Sequence, residues 1–362
     1  MLNLQQDSPG VSTAVHGSLK GKDIYTITLK KGQLEVTILN IGCVIRSIHV
    51  RGKNGIVKNV VAGFDNIAGY EHNPWYFGCI VGRYANRINN GRFELDGQTI
   101  QLSLNEGGAH LHGGVEGFHQ KVWEMVSLTD NSDEAGVTLQ YLSPDKEEGY
   151  PGNLRVQVKY VLNTKNQFTI QYYAETDKAT PVSLTNHSYF NLTGFEQPTI
   201  NDHILQINAS HCTEKNEHNL PSGKLVAVSG TPLDFSAPKK IGRDIDRFGA
   251  DLGYDYNYVL PGAFAKKMIL AAQLSEPVSG QILRIYTNRP GIQLYTANLW
   301  NGQLSGAQGK PYVRHGAVAL ETQSFPDSPN HPDFPDTIVR PGRPFRSTTV
   351  YEFDQSETIS HE

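Results

Sequence analysis

Several short stretches of the chain carry side chains able to move protons or hold hydroxyl groups. In LTNHSYFNLTG (184–194), His187 stands among Thr, Asn, Ser and Tyr residues. Its imidazole titrates near neutrality, so it suits proton transfer, and Asn186, Ser188 and Tyr189 are placed to orient it. In GAVALETQSFPDSPN an apolar run leads into Glu321 and then a proline-punctuated loop, which sets a carboxylate at the rim of a sheet. HLHGG sets His110 and His112 on one side of an extended segment, before a Gly-Gly bend that lets backbone approach a ligand closely. Asn86 and Arg87 in GRYANRI, Asp255 in DLGYDYNYVL and Gln293 in RPGIQLYTANLW add donors and acceptors in mixed supply.

Each stretch also has a plainer explanation. Short polar side chains around His187 would satisfy backbone groups where strands meet a loop. Asn186-His187-Ser188 and Asn191-Leu192-Thr193 match the N-glycosylation pattern, but the first residues, MLNLQQDSPGVSTAVHG, lack a basic start and apolar run, so no export is expected. His110, His112 and Glu116 form H-x-H-x3-E, a pattern that could hold a metal on a strand. Gly113-Gly114 would end that strand at once, and no second segment supplies a well-spaced histidine. No metal is expected.

The elements that must position these groups read as strands. Leu154, Val156, Val158, Tyr160 and Leu162 alternate along one face, and Phe168, Ile170, Tyr172 and Ala174 do so again after the turn NTKN, which predicts an antiparallel hairpin. Asp96-Gly97 is a two-residue hairpin signal, setting Phe93 and Leu95 against Ile100 and Leu102. LEVTILNIGCVIRSIHV reads as a further strand-like run, and GIQLYTANLW and GAVALET continue the pattern. FPDSPNHPDFPDTIVRPGRP (325–344) reads as a long surface loop. Convincing helical periodicity is absent, and no linker divides the chain. An all-β fold is predicted, one large antiparallel β-sandwich over 1–362 with its core at about 17–355. The net charge of -4 is spread without blocks, so neither nucleic acid nor a membrane surface is implied as partner. A neutral small molecule fits better. Cys43, Cys79 and Cys212 are far apart and odd in number, and with no 18-residue apolar run they suggest a cytoplasmic protein with buried thiols.

Taken together, the stretches from ILNIGCVIRSIHV and VAGFDNIAGYEHNPWYFGCIVGRYANRINNGRFELDGQ through LHGGVEGFHQKVW, TPVSLTNHSYFNLTG and GYDYNYVL to LETQSFPDSPN resemble the galactose mutarotase (aldose 1-epimerase) family in order and spacing, over nearly the whole chain. The resemblance implies a large antiparallel β-supersandwich, a cleft on a concave face, no cofactor, and a monomer or homodimer acting on a sugar. It implies Glu321 as general base and His187 as general acid, with Asn86, Arg87, His112, Asp255 and Gln293 holding the sugar. Tyr256 departs from the G-x-D-H-N pattern of many members, which puts a sugar contact near Asp255 in question. Trp75, Tyr76 and Phe325 are candidate platforms for the sugar face.

The chemistry such a site performs is the opening and reclosing of an aldose ring. A base takes the C1 hydroxyl proton while an acid protonates the ring oxygen, and the roles reverse on closure. For that, His187 should begin protonated and Glu321 ionised. Rival readings are a glycoside hydrolase using Asp255 and Glu321 as its carboxyl pair, a phosphosugar epimerase with a basic cluster around C6, and a sugar-binding protein without turnover.

Overall fold

The computed structural model describes residues 10–52, 55–262, 265, 267–306 and 309–356. The outermost ends of the expected 1–362 span lie outside these residues. Strands dominate, and helical turns among the described residues are short 3-10 segments.

Two sheets carry the architecture. The larger has nine strands, running in spatial order Glu124–Asp130, Glu134–Ser143, Leu154–Asn163, Gln167–Thr176, Phe345–Gln355, Gln281–Thr287, Ile269–Ser275, Ile204–Ile207 and Lys239–Lys240. The other has six, in the order Tyr189–Phe190, Val318–Gln323, Gly291–Tyr295, Asp255–Val259, His211–Lys215 and Pro221–Ala227. A five-stranded sheet, Val11 to Asn59, is built from consecutive strands.

The predicted hairpin is present, with Leu162 opposite Phe168 and Val158 opposite Tyr172, and the alternating apolar residues are buried. Asp96 and Gly97 both adopt positive φ in a two-residue turn, and Phe93 faces Ile100. The run LEVTILNIGCVIRSIHV departs from its reading as a single strand. It is a hairpin of Leu34–Leu39 and Val44–Arg51, turned through Gly42 and Cys43 at positive φ. Gly42 is confined there because a Cβ would sit 2.5 Å from the His119 carbonyl. The 325–344 segment also differs from a surface loop at its start. Phe325 to Ser328 are buried; the Tyr84 hydroxyl donates to the Phe325 carbonyl, and Asp327 Oδ1 accepts from Asn89 N.

The six-stranded sheet has one face in the core and one facing the site. Ile292, Leu294, Val318 and Leu320 join Ile170, Leu283, Ile285 and Tyr351 of the nine-stranded sheet in one apolar cluster. Thr322 meets Thr349 across this interface, hydroxyl to hydroxyl at 2.5 Å. Because side chains alternate along a strand, Gln293 and Glu321 project from the opposite face.

Candidate active site

Strand register brings most of the sheet-borne candidates together. Gln293 lies directly opposite Glu321 on one side and opposite Asn257 on the other, so the three form a row on one face. In the next row Asp255 lies opposite Tyr295, and Tyr295 opposite Ala319. The Gln293 amide donates to Asp255 Oδ1 at 2.6 Å, which holds the carboxylate beside the amide. Tyr256 faces away from this row. Its hydroxyl lies 3.3 Å from Asp251, and its ring lies under the Lys215 ammonium at 4.2 Å. The departure at 256 therefore leaves the Asp255–Gln293 pair in place.

His187 arrives from a crossing point of the chain. Thr185–Asn186 pairs with Ile80–Val81, whereas Tyr189–Phe190 pairs with the strand of Glu321. His187 N donates to the Cys79 carbonyl at 2.9 Å, and its own carbonyl accepts from Gly78 N at 3.0 Å. The Asn186 amide donates to the Gly78 carbonyl at 2.7 Å, and Asn191 serves the carbonyls of Gln197 and Gly316. Asn186 and Asn191 thus have the backbone duty, and of the residues expected to orient His187 it is Tyr189 that packs against its ring. Both asparagines are buried, which removes them as glycan acceptors.

The imidazole of His187 packs 4.7 Å from the Tyr189 ring, and its Nε2 lies 3.5 Å from Glu321 Oε1. Both side chains are 5% exposed or less. His187 Nδ1 and Glu321 Oε2 are buried with no hydrogen-bond partner among the described residues, as is Ser188 Oγ. Burial pushes His187 down to about 4. Burial pushes Glu321 well above the usual carboxylate range; the Asp255 charge adds to this and Arg87 opposes it. Both directions favour a neutral imidazole beside a protonated carboxyl. The expectation of a charged His187 beside an ionised Glu321 rested on their mutual attraction, and burial of both side chains acts in the opposite direction. The two arrangements contain the same single proton and differ only in which side holds it.

His112 sits at positive φ, with its N donating to the Asn86 carbonyl and its Nδ1 accepting from Asn86 N at 3.2 Å. That bond leaves the ring proton on Nε2, and His112 is a neutral donor: burial, then His187 and Arg87, push its pKa well down. Gly113 makes the bend possible, since a Cβ there would fall 1.7 Å from the Gly82 carbonyl oxygen. His110 does not join it. Its Nε2 meets the Tyr150 hydroxyl at 2.7 Å, and its Nδ1 lies 2.8 Å from the Ser103 carbonyl. Glu116 is on the surface with Lys20 and Lys121. The H-x-H-x3-E pattern is therefore not a site. His112, His187 and Glu321 do bring ligand-type atoms within 4.8 Å of one another. A histidine that binds metal through one nitrogen donates from the other, and His112 accepts there, so its tautomer suits a hydrogen-bonding trio.

Arg87 is held by Glu106 through two bonds, 2.5 and 2.7 Å. Burial alone would lower its pKa, but Glu106, Asp255 and Glu321 leave it raised. Glu106 is a residue that sequence reasoning missed, since it lies in an irregular loop with no period or motif. Tyr295 and Asn298 were likewise missed. All seven predicted residues, Asn86, Arg87, His112, His187, Asp255, Gln293 and Glu321, line one cavity of about 370 Å³, together with Trp75, Tyr76 and Tyr189. Phe325 is buried and is not among the lining residues.

The sheet face of this all-β fold points a buried histidine–carboxyl pair into a cleft ringed by polar side chains, an arrangement of the class suited to proton transfer on a polyhydroxylated small molecule. Comparison with known proteins gives the family. Residues 25–352 match the family model described as aldose 1-epimerase. Galactose mutarotase of Bos taurus is 39% identical over 345 residues, covering 95% of this chain and 98% of the relative. Aldose 1-epimerase of Escherichia coli K12 is 36% identical over 342 residues, 92% of this chain and 96% of the relative. Among solved structures, an aldose epimerase homologue from C. elegans superposes with a TM-score of 0.85 at 29% identity, over 92% of this chain and all of that one. Galactose 1-epimerase from Lactobacillus acidophilus gives 0.84 at 27%, over 96% and 99%. The chain belongs to the aldose 1-epimerase family and is an isomerase acting on carbohydrates.

Proposed function

We propose that this chain interconverts the α and β anomers of free aldohexoses such as galactose and glucose, with Glu321 as general base and His187 as general acid. The observation that carries the reading is the 3.5 Å approach of two buried, oppositely disposed titratable groups. Once a sugar occupies the cleft, the single proton of the pair passes to His187. Glu321 then takes the C1 hydroxyl proton while His187 Nε2 gives its proton to the ring oxygen, and the C1–O5 bond breaks. Rotation about C1–C2 presents the other carbonyl face. On closure O5 attacks C1, His187 recovers its proton, and Glu321 returns one to the new C1 oxygen. Protons and charge balance over the cycle.

The remaining groups hold the ring. His112 Nε2 donates to a sugar oxygen, Arg87 supplies charge-assisted donors, and Asp255 with Gln293 accepts and donates at neighbouring hydroxyls. A phosphorylated sugar has less to bind. The Arg87 guanidinium is already paired with Glu106, and Lys215 with Asp251 at 2.9 Å. The whole chain acts as one domain, without cofactor.

Polarimetry of freshly dissolved α-D-glucose and α-D-galactose tests the reading. Catalysis accelerates the drift in rotation in proportion to enzyme. A binder that does not turn over leaves the drift at its spontaneous rate, and that outcome would reject the proposal.

A further inference from the structure

Tyr76 makes three ring contacts that the mechanism above does not use. Its ring centroid lies 4.6 Å from that of His112, 4.6 Å from that of His119 and 5.9 Å from that of His187, nearly parallel to the last at 23°. His112 and His187 are themselves 5.4 Å apart, edge to face. One half-buried tyrosine thus lies against both active-site imidazoles and lines the cleft with its remaining surface.

The backbone is shaped to deliver this ring. Tyr76 adopts φ 57°, an uncommon conformation for an aromatic residue. The turn is clamped on both sides: Tyr76 N donates to the Asn73 carbonyl at 2.9 Å, and the Asn73 side chain binds both N and O of Phe77, at 2.8 and 3.0 Å. Cys79 Sγ lies 3.3 Å from the Tyr76 carbonyl, and Gly78 follows with a Cβ position 2.2 Å from the Ile45 carbonyl, so the chain must pass through glycine there. Strained backbone that the surroundings over-determine is a mark of functional sites.

We infer that Tyr76 is a positioning residue for the isomerisation: its aromatic face holds His112 and His187 in their working orientation and keeps water from the acid–base pair. The ring is stacked on His187 and tilted against His112 and His119, so these are ring contacts and the role needs the aromatic body and not the phenol proton. The inference rests on the assignment of His187 and Glu321 given above. The titratable groups packed around His187 are Glu321, His112, Tyr76 and Tyr189, with Cys79 reached through its backbone. None of these but Tyr76 is altered by the test.

The test uses Tyr76→Phe and Tyr76→Ala in the full chain. The His187 ring is titrated by NMR without sugar, and kcat, KM and the pH profile are measured by polarimetry. Tyr76→Phe should keep kcat within about threefold of the parent. Tyr76→Ala should lower kcat by roughly ten- to a hundredfold, a fraction of what an acid–base group supplies. It should also move the His187 midpoint upward from about 4 toward its ordinary 6.5 as water gains access. An unmoved midpoint in folded Tyr76→Ala overturns the inference. So does a Tyr76→Phe enzyme that loses more than tenfold in kcat, which would assign the hydroxyl a chemical part. If Tyr76→Ala fails to fold, Tyr76→Phe alone decides on that threshold. The NMR titration needs no turnover, so failure here is distinct from failure of the anomer-exchange reading.

Discussion

The 3.5 Å separation of His187 Nε2 and Glu321 Oε1 makes a quantitative demand on a double-mutant cycle. Glu321→Gln keeps the shape of the side chain and removes its ability to take a proton. His187→Asn keeps a polar group and removes the acid. A positioned acid or base contributes typically about 10²–10⁴-fold, or about 2.7–5.4 kcal/mol at 1.36 kcal/mol per decade. If the two groups shared nothing, the double variant would lose the product of the single losses, about 10⁴–10⁸-fold. In the proposed mechanism they work with one proton across a buried gap, so removing either disables both, and groups acting as a unit are strongly non-additive. The double variant should therefore fall no more than about tenfold below the poorer single one. The assay is polarimetry on α-D-galactose with the spontaneous rate subtracted, and circular dichroism confirms that each variant is folded. Multiplying losses, or a Glu321→Gln enzyme of undiminished rate, would refute the shared-proton account.

His112→Asn should raise KM and lower kcat by about tenfold or more each, because a donor fixed by Asn86 N is lost from the sugar; a change in kcat alone would show that His112 contributes only in the transition state. The pH profile of kcat/KM should be bell-shaped, since the competent pair carries one proton. Its acid limb falls near pH 4, where His187 and Glu321 both become protonated, and its alkaline limb lies well above 4.5. An acid limb near 6.5 would contradict the burial of His187. Stability should follow the same groups with opposite signs. The lowered His187 pKa gives stability that is present above 6.5 and lost as pH falls toward 4, while the raised Glu321 pKa gives stability that is present below 4.5 and lost as pH rises through its folded value. Glu321→Gln removes the second effect, so its Tm relative to the parent should improve from pH 5 to pH 9; a difference that stays flat would show that Glu321 ionises normally in the fold.

Residues whose surroundings are periodic were the legible ones. The strands around 154–176 and the turn at Asp96-Gly97 announce themselves because alternation and positive φ are local demands, met by residue type. Glu321 and Gln293 were legible as polar groups in apolar runs, but Glu321 lies within the buried Val318–Gln323 strand and not at the rim of the sheet, and the union of the two in one row followed from register that only pairing reveals. The hairpin inside LEVTILNIGCVIRSIHV was hidden because its turn residues, Asn40 and Gly42, are separated by Ile41 and followed by Cys43 within a run of apolar residues, so they form no turn dipeptide. Glu106 was hidden because it lies in an irregular loop and its partner Arg87 is 19 residues away. The effect of burial on the pair was illegible for a related reason. Attraction between His187 and Glu321 can be imagined from residue types, but the depth to which both are buried belongs to the packed molecule.

The Val318–Gln323 strand bonds along one edge to Gly291–Tyr295 and meets Tyr189–Phe190 on the other, and all six of its residues are buried. Its amides should exchange with deuterium only when the whole molecule unfolds, on the timescale of the slowest core positions. Glu321 is then as immobile as the scaffold. Differences in substrate preference among related chains would have to arise at the cleft's rim, in loops such as the one bearing Glu106, while the reacting centre stays unchanged beneath.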